Sequence, residues 1–196
     1  MTQPAPRGSP RELNRLDAGQ ARASLGDWLG PYTRCFSAPP WNEPVHSLAD
    51  YQAKVGWHFQ QPGFRALEVR TDGGSVIAVA YGWPSPETLP EYPYYQSLAD
   101  CLGPDRMRQI WSARPFEVVE LMVDPVARRQ GLGRQLLAHL CPSDGVSWLA
   151  TRSDSPAAAV YRRLGWRHVG DGVGNTSATP LGYFVLDPRQ RLIGST

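Results

Sequence analysis

The sequence predicts a mixed α/β domain built on a central sheet, and three observations carry that reading. A β-type run, Glu117 to Asp124, feeds a basic, glycine-spaced loop and then an amphipathic stretch, Arg134 to Leu140. A second run, Val146 to Thr151, leads into a helical segment and returns as a strand from Trp166 to Gly170. Upstream, Phe64 to Arg70 and Val76 to Trp83 flank Asp72-Gly73-Gly74 and read as a hairpin. With a last strand at Leu181 to Leu186, this order fits a mixed sheet with helical connections.

Residues 1–10 contain three prolines and no apolar core, so they are expected to be disordered and are not a signal peptide. Residues 11–196 are expected to form a single domain. Glu12 to Leu16 is a first edge strand. Asp17 then caps a helix carrying Ala21, Leu25, Trp28, Leu29 and Tyr32 at helical spacing. Residues 37–44 form a stiff, proline-rich loop, and Ser47 is the expected cap of a second helix through about Phe59. From about 84 to 115 the pattern weakens. Pro84, Pro86, Pro90 and Pro93 break it, and short helices are expected at Gln96 to Leu102 and Asp105 to Trp111. The segment reads as a long insertion and a functional-loop candidate rather than a core element. In the second half, Ser153 or Asp154 is the expected N-cap of a helix that starts near Pro156 and stops at Gly165. Residues 170–180 read as a glycine-rich connection.

The loop after the central strand carries the functional information. In Arg128-Arg129-Gln130-Gly131-Leu132-Gly133-Arg134, glycines let an anion approach the backbone, and a helix opens immediately afterwards. The unpaired N–H groups of its first turn and its positive dipole end favour a phosphate there, and the arginines add charge. The spacing is neither G-x-x-x-x-G-K-[ST] nor G-x-G-x-x-G.

Arg128-x-x-Gly131-x-Gly133 resembles the R/Q-x-x-G-x-G/A loop of the GNAT N-acetyltransferase superfamily. Downstream, Ala157-x-x-x-Tyr161-x-x-x-Gly165-Trp166 is similar to that family's A-x-x-x-Y-x-x-x-G-F. The resemblance covers Glu117 to Val169 through motifs, and the first half through its order of elements. It implies a mostly antiparallel central sheet with helices on both faces, splayed at a bulge between the fourth and fifth strands, where coenzyme A slots in. Acetyl-CoA is then the co-substrate. The resemblance places its pyrophosphate on Arg128 to Arg134 and its pantetheine arm along Leu121, Met122 and Val123, with Ala157 and Tyr161 beside it. The resemblance also places Asp154 at a coenzyme-binding position, where the family often has an asparagine whose amide helps hold the pantetheine arm; Asp154 can cap a helix but cannot donate the same hydrogen bond.

Acetyl transfer to an amine needs a neutral amine, a stabilised oxyanion and a proton for the departing thiolate. The resemblance makes Tyr161 the acid, with a helix tyrosine packed on the sheet as the plain alternative. The backbone N–H of Val123 or Met122 is the expected oxyanion donor. Glu120 and Glu117 are the candidate bases, Glu120 preferred. Strict alternation puts Val119, Leu121 and Val123 on one face with Glu120 and Met122 on the other. A carboxyl among apolar neighbours is desolvated, which raises its pKa toward a useful value. Phe36, Trp41, Trp83 and Tyr94 are candidate acceptor-binding residues, with Tyr92, Tyr95, Trp57 and Trp111 as further aromatics nearby. Were they to line one cleft, they would favour an apolar or aromatic amine.

Net charge is +2, so no polycation argument for nucleic acid applies. No apolar stretch reaches membrane-spanning length. His46, His58, His139 and His168, with Cys35, Cys101 and Cys141, make neither a metal-ligand pattern nor a disulfide framework, so no metal is expected and a reducing cytoplasm is the natural setting. The expected activity is N-acetylation of a small-molecule primary amine by direct attack in a ternary complex. Protein N-terminal acetylation and non-catalytic acyl-CoA sensing are the alternatives, and the chain is expected to be a monomer or a homodimer.

Overall fold

A computed structural model describes residues 11–44, 47–172 and 180–189. The elements run β1 (Glu12–Leu16), α1 (Ala18–Phe36), α2 (Ser47–His58), β2 (Arg65–Arg70), β3 (Val76–Pro84), α3 (Pro93–Leu102) and α4 (Pro104–Ser112). They continue with β4 (Phe116–Val123), a single 3-10 turn (Pro125–Ala127), α5 (Leu132–Leu140), β5 (Ser147–Thr151), α6 (Pro156–Arg163), β6 (Arg167–Gly172) and β7 (Leu181–Leu186). The strands form one sheet in the order β1-β2-β3-β4-β5-β7-β6. Every pairing is antiparallel except β4 with β5.

Local chemistry fixes these elements. Asp17 starts α1 with a capping box: its carboxylate accepts from Gln20 N at 2.9 Å, and the Gln20 side chain accepts from Asp17 N at 3.0 Å. The β2–β3 turn closes with Gly74 at φ 78°, a conformation that favours glycine. Ser155 caps α6, its hydroxyl accepting from Ala158 N at 3.1 Å. This corrects the expectation of Ser153 or Asp154, because Asp154 is engaged by Arg152 instead.

Helices cover both faces. α5 and α6 bury Leu132, Leu136, Leu137, Leu140, Ala158 and Tyr161 against Leu67, Ala80, Val118 and Phe184 on one face. On the other face, α1 and α2 pack Trp28, Tyr32, Tyr51 and Val55 against Val79, Tyr81 and Met122. The buried Glu68 in this layer accepts a hydrogen bond from Trp28 Nε1 at 2.9 Å and pairs with Arg70 at 2.6 Å, so its charge is compensated.

The segment between about 84 and 115 is part of the core, against expectation. α3 and α4 bury Tyr95, Leu98, Leu102, Met107 and Ile110 against Val146, Trp148, Tyr183 and Val185. Prolines open both helices, at Pro93 and Pro104, where a missing N–H costs nothing. Of the prolines read as breakers, Pro93 is a helix start, and the short helices expected at Gln96 to Leu102 and Asp105 to Trp111 are α3 and α4.

The site is set by β4. Its pairing with β3 skips one residue: Tyr81 lies opposite Glu120, and Gly82 opposite Val118. Val119 is therefore a bulge residue, and Val119 and Glu120 both turn to the α1–α2 face. The expected grouping of Val119 with Leu121 and Val123 is thus corrected. Val118, Leu121 and Val123 face α5, while Val119, Glu120 and Met122 face α1 and α2. Opposite the bulge the chains nearly touch. A Cβ on Gly82 would lie 1.9 Å from the Glu117 carbonyl oxygen and 2.9 Å from the Phe116 ring. Gly82→Ala is expected to destabilise the fold by about 3 kcal/mol or more, since a backbone atom cannot step aside. A shift of the urea midpoint checks this, and an unchanged midpoint would show that the strands have room to separate.

Candidate active site

β4 and β5 pair only at Phe116 with Ser147 and Glu117 with Trp148, then diverge. From Val118 to Val123, no strand among the described residues pairs with β4 on its β5 side. A sheet opened in this way leaves a slot whose wall is strand backbone, able to bond an extended ligand bearing amides.

At the end of the slot lies the glycine-spaced loop. Asp124, 2% exposed, accepts from Val126 N at 3.2 Å and holds Arg34 of α1 at 2.8 Å through Nε. This fixes the exit from β4. Arg129 at φ 62° and Gly131 at φ 80° then turn the chain into α5, whose N-cap is Gly131, with no side chain capping it. The amides of Arg129, Gln130 and Gly131 find no acceptor among the described residues, and those of the first turn of α5 have none within the helix. A Cβ on Gly133 would sit 3.9 Å from Leu121 and Val123, so the loop lies close over β4. Arg128, Arg129, Gln130, Gly131 and Arg134 are exposed, while Leu132 is buried as the helix anchor. This is a cradle of free donors and positive charge that suits a phosphate.

Gly131→Ala would force an αL alanine, at a cost of order 1–2 kcal/mol that the free loop can relieve only by leaving the cradle conformation. We expect the acetyl-CoA Kd to rise roughly 5–30-fold, measured by calorimetry. Unchanged affinity would show that the loop's shape is not what holds the ligand.

Glu120 and Tyr161 stand on opposite sides of the slot. Glu120 projects from the bulge beside Tyr81 and is half-buried, enclosed by protein while still reached by solvent. Burial raises its pKa to about 7. The Lys54 charge opposes that rise and Glu43 adds to it. Tyr161 is 6% exposed, on α6, packed against Trp166 and Phe184. Burial raises its pKa, and the negative charge of Glu120 adds to the rise. Its hydroxyl makes no hydrogen bond with the other described residues. Ala158 beneath it is fully buried, and Ala157 packs at the edge of the same cluster.

Glu117 lies at the closed end, where the two strands still pair. It is 3% exposed and accepts from Tyr95 Oη at 2.9 Å. Burial raises its pKa to about 7, partly offset by hydrogen bonding from Tyr95 and Tyr94.

The aromatic residues divide into separate groups. Phe36 meets Tyr32 at 4.6 Å and Trp41 at 5.5 Å, and Tyr32 stacks on Tyr51 at 3.6 Å. Trp83 packs with Trp57 and His58 on the same face of the sheet, itself 3% exposed. Tyr94 belongs elsewhere, with Tyr95, Trp148 and Tyr183 under α3. Trp111 joins that second group, and Tyr92 is exposed.

Several residues of the site carried no sequence signal. Tyr32 donates to Glu43 Oε2 at 2.8 Å, and the charges of Glu43 and Lys54 both act on Glu120. Cys35 donates to the Val123 carbonyl at 3.2 Å, which also accepts from Arg128 Nε at 3.2 Å. Arg152, just past β5, donates to the Pro40 carbonyl at 2.8 Å and bonds both oxygens of Asp154. Asp154 is thus the counter-ion of Arg152. The histidines are dispersed. His58 is buried against Tyr81 with its pKa lowered to about 3 by burial, His139 is exposed on α5, and His168 meets Asp171 at 3.2 Å. His46 lies outside the described residues. Among the described residues, no set of three or more His, Cys, Asp or Glu is arranged to hold a metal ion, and no helix is long and apolar enough to cross a membrane.

Residues 101–168 match the family model described as an acetyltransferase (GNAT) domain. No curated protein matches the chain. Among solved structures, the chain resembles the ribosomal-protein-S18-alanine N-acetyltransferase of Escherichia coli, at TM-score 0.55 and 17% identity over 90% of this chain and 93% of that one. It also resembles mutant forms of the spermidine/spermine N-acetyltransferase SpeG of Vibrio cholerae, at 0.52 and 13% over 95% and 100%. A third is the aminoglycoside N-acetyltransferase AAC(6')-Iy in complex with CoA, at 0.53 and 15% over 89% and 99%. Identities this low establish a shared fold, and the three named acceptors differ in kind.

Proposed function

We propose that this chain is an acetyltransferase of the GNAT superfamily, whose family model residues 101–168 match and whose fold it shares, and that it acetylates a primary amine of a small molecule by direct attack in a ternary complex. The coarser activity, acetyl-CoA-dependent acetyl transfer, follows from that assignment. The finer reading is supported above all by the open edge of β4, which runs from the amide cradle past the bulge that carries Glu120.

The residues then take the following roles. The amides and arginines from Arg128 to Arg134 hold the pyrophosphate, and the backbone of Leu121 to Val123 holds the pantetheine arm. Glu120, directly or through water, removes a proton from the acceptor ammonium. The freed amine lone pair attacks the thioester carbon and the C=O pair moves onto oxygen, where the N–H of Val123 or Met122 receives it. As the C–O double bond re-forms, the C–S bond breaks, Tyr161 gives its proton to the leaving sulfur, and the phenolate is re-protonated by the remaining surplus proton on the former amine nitrogen. The products are an amide and free coenzyme thiol. Glu117, sealed at the slot's closed end, sets the position of β4 and stays in reserve as the second carboxyl.

The acceptor side is walled by Tyr32, Phe36, Trp41 and Glu43, rings and a carboxylate that suit a cationic amine with an apolar or aromatic body. Thermal shift with acetyl-CoA, followed by thiol release on an amine panel, tests the whole reading. Stabilisation with thiol release from small amines supports it. Release with peptides alone would transfer the assignment to protein N-termini, and stabilisation without any release would make the protein a sensor.

A further inference from the structure

We propose that Arg152 is a positioning residue that ties the acceptor wall to the coenzyme-binding half and thereby sets which acceptors enter. The inference rests on the acetyltransfer reading of the slot and extends it to selectivity.

Arg152 directly follows β5, one arm of the open sheet. Residues 37–44 follow α1, which packs on β3 and β4, the other arm. A single guanidinium spans the two, joining positions 112 residues apart. All three of its nitrogens are engaged: Nη1 donates to the Pro40 carbonyl at 2.8 Å, while Nε at 3.1 Å and Nη2 at 2.9 Å donate to the two oxygens of Asp154. The side chain is only a quarter exposed. Asp154 aims the fork. An asparagine, the family's frequent residue here, would offer one acceptor oxygen and no charge.

What Arg152 holds is a tight turn rather than a slack loop. Trp41 N and Asn42 N both donate to the Ala38 carbonyl at 3.1 and 3.2 Å, and Glu43 N donates to Phe36 at 2.8 Å. Fixing Pro40 therefore fixes Trp41, whose ring meets Phe36, and Glu43, whose charge is felt at Glu120. On the acetyl-transfer reading Trp41 and Glu43 wall the acceptor, so the tether sets how far that wall can yield to a bulky amine.

Arg152→Ala and Asp154→Asn are the test, each with three readouts. Amide hydrogen exchange at residues 41–43 should accelerate by about tenfold or more in Arg152→Ala, and by less in Asp154→Asn. With 2-phenylethylamine as acceptor, KM should rise about tenfold in Arg152→Ala while kcat changes about threefold or less, and the preference for it over the bulkier phenylalanyl-glycine amide should shrink. The acetyl-CoA Kd of Arg152→Ala, by calorimetry, should stay within about twofold. A purely structural role would lower kcat and coenzyme affinity together and leave the preference unmoved. Unchanged exchange at 41–43 in both variants, or an unchanged preference between the two amines, would overturn the proposal. Failure of the native protein to bind acetyl-CoA would instead overturn the parent reading, and the exchange measurement stands apart from it.

Discussion

Tyr161→Phe should slow turnover by roughly 10²-fold or more while leaving the acetyl-CoA Kd nearly unchanged. The hydroxyl is available for the role because nothing among the described residues bonds it, although the ring is buried between Trp166 and Phe184. Removing it leaves ring packing intact, so the loss falls on kcat and not on folding. Its raised pKa keeps the proton in place through neutral pH, as an acid requires. The leaving thiolate is where that proton matters, so an acyl donor with a better leaving group than coenzyme A should lose less. Full activity in Tyr161→Phe, measured by thiol release at saturating acetyl-CoA, would remove the residue from the mechanism.

Glu120→Gln should lower kcat/KM by about 10²-fold at neutral pH and change the shape of its pH profile. Glu120 acts only when ionised, and its pKa is raised to about 7. Native activity should therefore rise with pH through that value and flatten above it. In Glu120→Gln this limb should vanish, leaving a rate that climbs only as the acceptor deprotonates by itself, toward about pH 10. The deficit is then largest near and below neutrality and narrows in alkali. A uniform deficit across pH would assign Glu120 a structural role. Lys54→Met should move the native limb upward, because the lysine charge now opposes the effect of burial.

Much of the architecture was readable because it depends on local rules. The hairpin around Asp72-Gly73-Gly74, the cap at Asp17 and the glycine loop before α5 depend on residues within a few positions of one another, and the structure has them where the sequence indicates. The central strand was also plain, but its bulge was not. In Val118-Val119-Glu120, no residue marks which one is extra, and the placement of Gly82 opposite is a tertiary fact. The two helices of the α3–α4 region were also legible, but not their place in the core, and Pro93, read as a breaker, is a helix start. Long-range polar contacts had no signature at all. Arg34 with Asp124 and Arg152 with Pro40 join residues about a hundred positions apart, and each decides how a loop of the site is held. Among the aromatics, composition showed their abundance, and only the fold could divide Phe36 and Trp41 from Tyr94.

The extra residue in β4 has a further consequence. Take Val119 away, and every other side chain of the strand already alternates correctly: Val118 toward α5, Glu120 toward α1, Leu121 toward α5 again. A chain one residue shorter would satisfy the same hydrophobic layers with a straighter strand. The extra residue therefore changes the path of the strand more than the make-up of its layers, and it does so two residues past the last pairing with β5, where the sheet opens.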